Sequence, residues 1–379
     1  MKESSAARLA VGVSGICAFL DLYATQPLLP TLERQFNVSK AGASLTVSAS
    51  TAAVALAAPF IGLAADRLGR KRVIVPAMFV LAIPTMLAAT AQTLTALVVW
   101  RFLEGLVMPA IFAVMIAYVT EEFAGRGVGA AMAALVTGNV IGGFFGRVTA
   151  GTVTSIADWR LAFVVLGALN IVGAIVTWVW LPKEQSFKPH RAPYAIMPHL
   201  RNTGLVATYV VGFSVLFSLV ATFNYVNFYL ADPPFSLGPA LLSSIFVVYL
   251  VGVFVTPIAG RWIDRFGSRK ALTTALLISA AIMPVTLIHN LVFVAIGLAV
   301  CSSAVFVCQS SSTSYLQHAA PLATRSSAAG LYVAFYYLGG SVGGELPGLI
   351  WRWGGWPGCV GLVILAQLAT IAVAWRFWA

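Results

Sequence analysis

Five charged side chains interrupt stretches that are otherwise uncharged and apolar: Asp21, Arg101, Glu104, Arg147 and Glu345. Holding a charge inside an apolar medium costs about 2.5–3.5 kcal/mol on insertion scales, so charged residues in such places are functional candidates by default. Carboxyls there can take up and release protons. Arg101 and Glu104 stand three apart, on one face of a helix, and can pair. The arginine's charge and the apolar surroundings act on the Glu104 carboxyl in opposite senses, a balance suited to a proton carrier. A structural ion pair that locks the helix is the alternative. Asp21, with Thr25 and Gln26 close by and no basic neighbour in sequence, is the simplest protonation site, or else a carboxyl satisfied by a nearby hydroxyl or amide. Asp21, Glu104, Arg101 and Glu345 form the candidate proton-coupling set. Arg147 and Glu345 stand near the ends of their stretches, where they suit an outer gate, a charged substrate or plain anchoring.

A second group is polar with aromatic neighbours. Asn224 and Asn227 share a helical face, and Gln309 is followed by Ser310, Ser311 and Ser312. Amides beside Phe223, Tyr225, Phe228, Tyr336 and Tyr337 describe an amphipathic cavity with aromatic walls and a few polar anchors; for any one of these rings, a place against lipid is the competing assignment. Gln26, Asn139, Arg147, Asn224, Asn227, Gln309, Tyr336 and Tyr337 are the candidate substrate-binding residues. No metal or cofactor is expected. The four cysteines fall in apolar stretches with no C-x-x-C spacing and no adjacent histidine. The four histidines are scattered, which argues against a membrane-embedded enzyme, and no G-x-x-x-x-G-K-[ST] phosphate loop occurs.

The elements that carry these residues are membrane spans. Of 379 residues 60% are hydrophobic and 9% charged, with a mean hydropathy of +0.91, against roughly 25% charged in a soluble domain. A soluble fold is excluded. At about 20 residues per span and about 30 with its loop, the length accommodates on the order of twelve. Uncharged stretches place them at 41–65, 73–100, 127–146, 161–182, 202–231, 233–260, 326–344 and 353–375. The run 9–32 is a first span, 102–120 is another, and 271–324 divides into two at His289-Asn290.

With the N-terminus inside, cytoplasmic segments hold 17 of the 23 Lys and Arg and the opposite side holds 4. The positive-inside rule then places both termini in the cytoplasm, and the net charge of +11 reflects cytoplasmic loops, not nucleic-acid binding. Residues 183–203, rich in proline and basic groups, read as a linker between an N-terminal six-helix bundle (1–182) and a C-terminal one (204–379). An internal repeat supports two halves: Gly62-Leu-Ala-Ala-Asp66-Arg67-Leu-Gly69-Arg70-Lys71 is echoed 198 residues later around Asp264, Arg265 and Gly267. The same shift carries Gly142 onto Gly340, Gly146 onto Gly344 and Arg147 onto Glu345. Gly62, Asp66, Arg67, Gly69, Arg70, Asp264 and Arg265 are the candidate gating residues. The glycines permit a tight connection, the Asp66 carboxylate can face a helix N-terminus, and the basic groups stay at the anionic surface. The competing assignment makes the basic residues orientation signals only.

The repeated G-x-x-x-D-R-x-G-R-K-R pattern resembles the most diagnostic motif of the major facilitator superfamily, and the resemblance covers essentially the whole chain. Arg101-Phe-Leu-Glu104-Gly105 resembles a motif of that family's proton-linked members. Asp21 to Pro30 resembles the first-span motif of its drug/proton antiporters. Gly129, Gly138, Gly142 and Gly146 match the glycine frame of the fifth-span antiporter motif G-x8-G-x3-G-P-x2-G-G, with Gly143 where proline is usual and Arg147 where glycine is usual. The variant, with Tyr336-Tyr337-Leu-Gly-Gly-Ser-Val-Gly-Gly, is similar to bacterial arabinose or sugar efflux permeases. The resemblance implies an all-α membrane protein of twelve helices in two pseudo-symmetric bundles. It would be a monomeric inner-membrane transporter that exports a small organic compound in exchange for protons. A uniporter, or a sugar or organic-anion exporter using Arg147, is the alternative.

The topology is checked with single cysteines after the native four are removed. Those at Lys188 and Arg269 should resist an impermeant thiol reagent in intact cells and one at Lys40 should react; labelling at Lys188 from outside contradicts the orientation.

Overall fold

The computed structural model describes residues 2–124, 127–184, 196–321 and 324–378, with the side chains at 2–4, 62–64, 66–67 and 326 outside the description. Gly62, Asp66 and Arg67 of the candidate gate therefore lie outside the described side chains, and Lys188 outside the described residues. All described elements are helical. In chain order they are α1 (Lys2–Leu20), α2 (Leu29–Phe36), α3 (Lys40–Leu68), α4 (Arg70–Ala88), α5 (Leu94–Val107) and α6 (Pro109–Glu122). Then come α7 (Val128–Ile156), α8 (Trp159–Trp180), α9 (Met197–Arg201), α10 (Thr203–Ala231) and α11 (Pro239–Ser244). The last are α12 (Val251–Phe266), α13 (Ser268–Ile282), α14 (Leu291–Ala319) and α15 (Arg325–Phe377).

Among the described residues 10 helical runs are long and apolar enough to cross a membrane. The difference from twelve has two sources. Ser5–Leu20 is apolar but shorter, and Ser327–Phe377 is a run of 51 residues in which Gly355 is non-helical (φ 53, ψ −146), so one run covers two spans. Several sequence boundaries move. The third span ends at Ala88, because the Thr93 side chain accepts from Ala96 N (3.2 Å) and caps a new helix that takes in Trp100 and Arg101. Helix α7 continues to Ile156, which puts Arg147 well inside it, and Glu345 lies equally deep in α15, so neither stands near an end as expected. The turn at His289-Asn290 is where expected: Asn290 caps α14 by accepting from Val292 N at 2.9 Å.

Two compact units emerge. One comprises Met1–Leu28, Ala49–Arg191 and Pro239–Ser244; the other comprises Leu29–Ser48, Ala192–Gly238 and Ile245–Ala379. In the first, α7 packs along α1 with almost no side chain between the backbones. A Cβ added to Gly138, Gly142 or Gly146 would collide with the carbonyl oxygens of Gly12, Ile16 and Leu20, one turn apart. In the second unit Gly339 and Gly343 meet the carbonyls of Phe213 and Phe217 in the same way. This packing repeats at a shift of 201, not 198, so Gly344 is free for another contact: its missing Cβ leaves room for the Ser48 hydroxyl.

Helix α1 stops at Leu20 for a reason written in the chain. Pro27 has no N–H and its ring opposes helix in the preceding turn. Residues 21–25 form turns instead, with Ala24 N donating to Asp21 O (3.0 Å), Gln26 N to Tyr23 O (3.0 Å) and Leu28 N to Thr25 O (2.9 Å). Gln26 N, which a continuous helix would have given to the Leu22 carbonyl, is thus spent elsewhere.

Overpacking a well-packed interior costs about 1–3 kcal/mol. Gly142→Ala should therefore lower the thermal unfolding temperature of the purified protein, whereas Gly129→Ala, whose added Cβ meets nothing within 4 Å, should leave it unchanged or slightly higher. Equal effects at the two positions would contradict the α1–α7 contact.

Candidate functional site

The break in α1 meets α5 at Arg101. One guanidinium nitrogen, Nη2, donates to Asp21 O (2.9 Å) and Leu22 O (2.8 Å), while Nη1 pairs with the Glu104 carboxylate one turn along α5. Pro27 cannot serve the Tyr23 carbonyl, so Gln26 N takes it instead, and the Leu22 carbonyl released by that shift receives its donor from a cation. Asp21, Arg101 and Glu104 are each 0% exposed. The α5 backbone is held against α3 here: Ser50 Oγ donates to Arg101 O at 3.0 Å, and a Cβ at Gly105 would collide with Ser50 O. The Arg101–Glu104 pair read from the sequence is present, and Asp21 is joined to it through its own backbone.

Two residues that sequence reasoning missed complete the group. Thr85 Oγ1 of α4 donates to Asp21 Oδ2 (3.0 Å), and Asn170 Nδ2 of α8 donates to the same oxygen (2.5 Å). Asp21 Oδ1 and Glu104 Oε1 are buried without a hydrogen-bond partner among the described residues. Asn170 is the one amide in the apolar run of α8, and that was the available signal.

Arg147 is a separate centre in the same unit. Its Nε donates to Gln26 Oε1 (2.7 Å) and Nη1 to Gly143 O (2.6 Å), and the guanidinium carbon lies 4.8 Å from the centre of the Tyr23 ring. The two departures from the fifth-span glycine motif compensate each other. Arg147 bonds the carbonyl of Gly143, and a Cβ at Gly143 would lie 3.3 Å from Nη1, so a proline ring there would crowd the arginine. Asn139, half-buried, faces Gly15 of α1, with its Oδ1 unpartnered among the described residues.

In the second unit the structure brings Asn224 and Glu345 onto the start of α3. Asn224 Nδ2 donates to Ser44 Oγ (2.7 Å), Ser48 hydrogen-bonds the Glu345 carboxyl, and Tyr225 OH donates to Gly344 O (2.7 Å). Nearby Lys40 pairs with Glu33 (3.3 Å) and Asp232 (3.5 Å), its ammonium over the rings of Phe228 (4.8 Å) and Trp351 (5.3 Å). Ser44 and Ser48, four apart on α3, were legible only as small polar residues. The other candidates do not converge on this group. Asn227 Nδ2 donates within its own helix to Phe223 O (2.5 Å), and Gln309 is half-buried on α14. Tyr336 stacks on Tyr332 (6.0 Å) and meets Tyr337 edge-on (5.4 Å), against a core of Leu205, Tyr209 and Leu331.

The repeated motif has equal geometry in both copies: Gly69 (φ 96) and Gly267 (φ 84), 198 residues apart, each precede a helix in a conformation that favours glycine. Around the first copy the basic residues do more than mark a membrane side. Arg70 is bidentate to Glu121 (3.1 and 2.7 Å), Lys71 N donates to Glu184 Oε2 (2.9 Å), and Lys71 Nζ donates to the terminal α8 carbonyls Trp178 O (2.9 Å) and Leu181 O. A carboxylate at the start of α4 and an ammonium at the end of α8 match the two helix dipoles. Any Cβ at Gly69 would collide with Glu184 Oε1. Asp264 is exposed beside a cavity of about 510 Å³ that Arg269, Lys270, Tyr315 and His318 also line, and Arg265 is exposed over the Phe266 ring (5.3 Å).

Removing one partner of a buried ion pair costs about 3–5 kcal/mol, because the other charge is left uncompensated. Arg101→Ala should therefore strongly reduce the yield and melting temperature of folded protein, and adding Glu104→Gln should recover part of the loss. A double variant no more stable than the single one would mean that the carbonyls of Asp21 and Leu22, and not the Glu104 charge, are what Arg101 serves.

Solved structures share this architecture. The fold superposes on a variant of the nucleoside transporter NupG with a TM-score of 0.79 at 14% identity, covering 98% of this chain and 100% of that one. It superposes equally on a bacterial homologue of the human lysosomal transporter Spinster (TM-score 0.79, 15% identity, 99% and 95% covered). In sequence it is 30% identical over 363 residues to the uncharacterised MFS-type transporter YybF of Bacillus subtilis (94% of this chain, 90% of the relative). It is also 30% identical over 373 residues to the inner membrane transport protein YnfM of Escherichia coli (97% and 89%). The model of the Major Facilitator Superfamily matches residues 11–378, and with the twelve-span helical fold this places the chain in that family: it is a multi-pass membrane transporter of the Major Facilitator Superfamily.

Proposed function

We propose that this transporter exports a small organic compound across the bacterial inner membrane in exchange for protons, with Asp21 and Glu104 carrying the protons. The observation that supports it best is the buried group at the α1 break: two carboxyls around one arginine, each with an oxygen unpartnered among the described residues. A carboxyl that accepts a proton from the acidic side becomes neutral, which removes the cost of enclosing a charge when water is shut out. Release on the other side restores a carboxylate that attracts a cationic or strongly dipolar substrate. Arg101 pairs with Glu104 and so ties its charge state to the α1 backbone through Asp21 O and Leu22 O.

In this reading the protein is a monomer with both termini in the cytoplasm, and residues 183–203 join two six-helix halves. Asp66 and Arg67 close the cytoplasmic side, with Gly69 and Arg70 setting the turn. Glu345, on Ser48 deep in α15, is a further proton-coupling candidate. The inner-membrane setting follows the similarity to YnfM, an inner membrane transport protein. Arg147, held by Gln26 and Gly143, supports a second reading, a sugar or organic-anion exporter without proton coupling.

A thermal-shift screen over antibiotics, sugars and organic acids would supply a ligand. With the compound that stabilises most, Asp21→Asn and Glu104→Gln in proteoliposomes should each abolish accumulation driven by a pH gradient while downhill exchange persists. Undiminished uphill accumulation by both variants would overturn the proton role and favour the Arg147 reading.

A further inference from the structure

We propose that Thr85 and Asn170 are positioning residues that keep Asp21 hydrogen-bonded in both of its charge states; the assignment rests on the reading of Asp21 as a proton site. A carboxylate needs donors only. A carboxylic acid adds an O–H that must find an acceptor, and a buried group left without one loses the hydrogen bond it would have made in water. A side chain buried among fixed donors can therefore serve one state and not the other.

The groups facing Asp21 divide on this point. Arg101 on α5 only donates, and gives its protons to backbone oxygens and Glu104. Glu104 and Cys17 face Asp21 electrostatically and donate no bond to its carboxyl. Thr85 and Asn170 can act both ways. The single Thr85 hydroxyl proton has two acceptors within reach, Asp21 Oδ2 at 3.0 Å and Leu81 O at 2.9 Å. Pointed at Asp21 it serves the carboxylate; pointed at Leu81 it presents lone pairs to the acid. Asn170 places Nδ2 2.5 Å from the same oxygen, while its own Oδ1 is buried with no partner among the described residues. A half-turn of the amide exchanges donor for acceptor at that place. Both residues converge on Oδ2, so a proton on Oδ2 finds an acceptor once either the hydroxyl rotates or the amide turns, while the other partner goes on donating to the same oxygen.

Infrared spectroscopy of the purified protein in lipid nanodiscs, titrated in pH without any ligand, tests this. The carbonyl stretch of the protonated Asp21 carboxyl is the band that Asp21→Asn removes. Its frequency should be that of an acid hydrogen-bonded through its hydroxyl group, Oδ1 being without a partner among the described residues, and should rise in Thr85→Val and in Asn170→Leu, each of which deletes the polar atoms at similar volume. Thr85→Ser, which restores the hydroxyl, should keep the native frequency. An unchanged frequency in both deletion variants, or the absence of any band assigned to Asp21, overturns the proposal. Should Asn170→Leu not fold, the Thr85→Val and Thr85→Ser pair still decides it. A band that behaves as expected while Asp21→Asn still accumulates substrate uphill would leave this assignment standing and remove the transport role alone.

Discussion

Inside a bundle that excludes water, a backbone carbonyl without a donor is costly, and a proline beyond the first turn of a spanning helix creates one. Pro27 does this to the Tyr23 carbonyl, which takes Gln26 N instead, and the Leu22 carbonyl that Gln26 N leaves behind is answered by the guanidinium of Arg101. Much else in the first unit follows from that exchange. The arginine brings a charge into the interior, so a carboxylate has to accompany it, and Glu104 one turn away on α5 does so. The break exposes Asp21 at the end of α1 to α4 and α8, and Thr85 and Asn170 meet it there. A proline, an arginine and two carboxyls thus form one unit whose backbone geometry and charge state depend on each other.

The second constraint is backbone proximity. Where α7 rides on the α1 carbonyls through Gly138, Gly142 and Gly146, no side chain cushions the contact, so a change in α1 is passed to α7 directly. Arg147 leaves this same helix and holds Gln26, one residue before Pro27. The α1 break is therefore gripped from two sides, by Arg101 at its start and by Arg147 at its end. At the far end of the unit, Lys71 and Glu184 tie the repeated-motif turn to the segment that follows α8.

The membrane architecture was legible because it depends on composition: long uncharged runs, a basic bias on one side, and a motif repeated at 198 residues. Boundaries failed where a cap decided them, as at Thr93, which starts α5 inside a run that hydropathy joins to the third span. The charged members of the site were legible because charge is rare in these runs. Their connections were not, since Arg101 reaches backbone atoms 79 and 80 residues away, and no side-chain pattern records that. Thr85 escaped notice for a different reason: hydroxyls are frequent in these helices and many bond within their own helix, as Thr46 and Thr208 do, while Asn170 stood out as a lone amide with nothing in the sequence to name its partner. Tyr336, read from the sequence as a cavity-lining ring, is half-buried beside Tyr332 at the edge of a core, because aromatic residues serve packing and binding equally well.

The central claim is that the charge state of the Asp21–Arg101–Glu104 group changes as substrate crosses. Its most direct test is proton movement itself. Proteoliposomes enclosing a pH-sensitive dye would be given the stabilising compound on one side with no imposed gradient. The account predicts a change of internal pH that requires the compound, runs opposite to its direction of travel, and vanishes when Asp21→Asn and Glu104→Gln are combined. Entry of the compound into the vesicles with internal pH unmoved would contradict it.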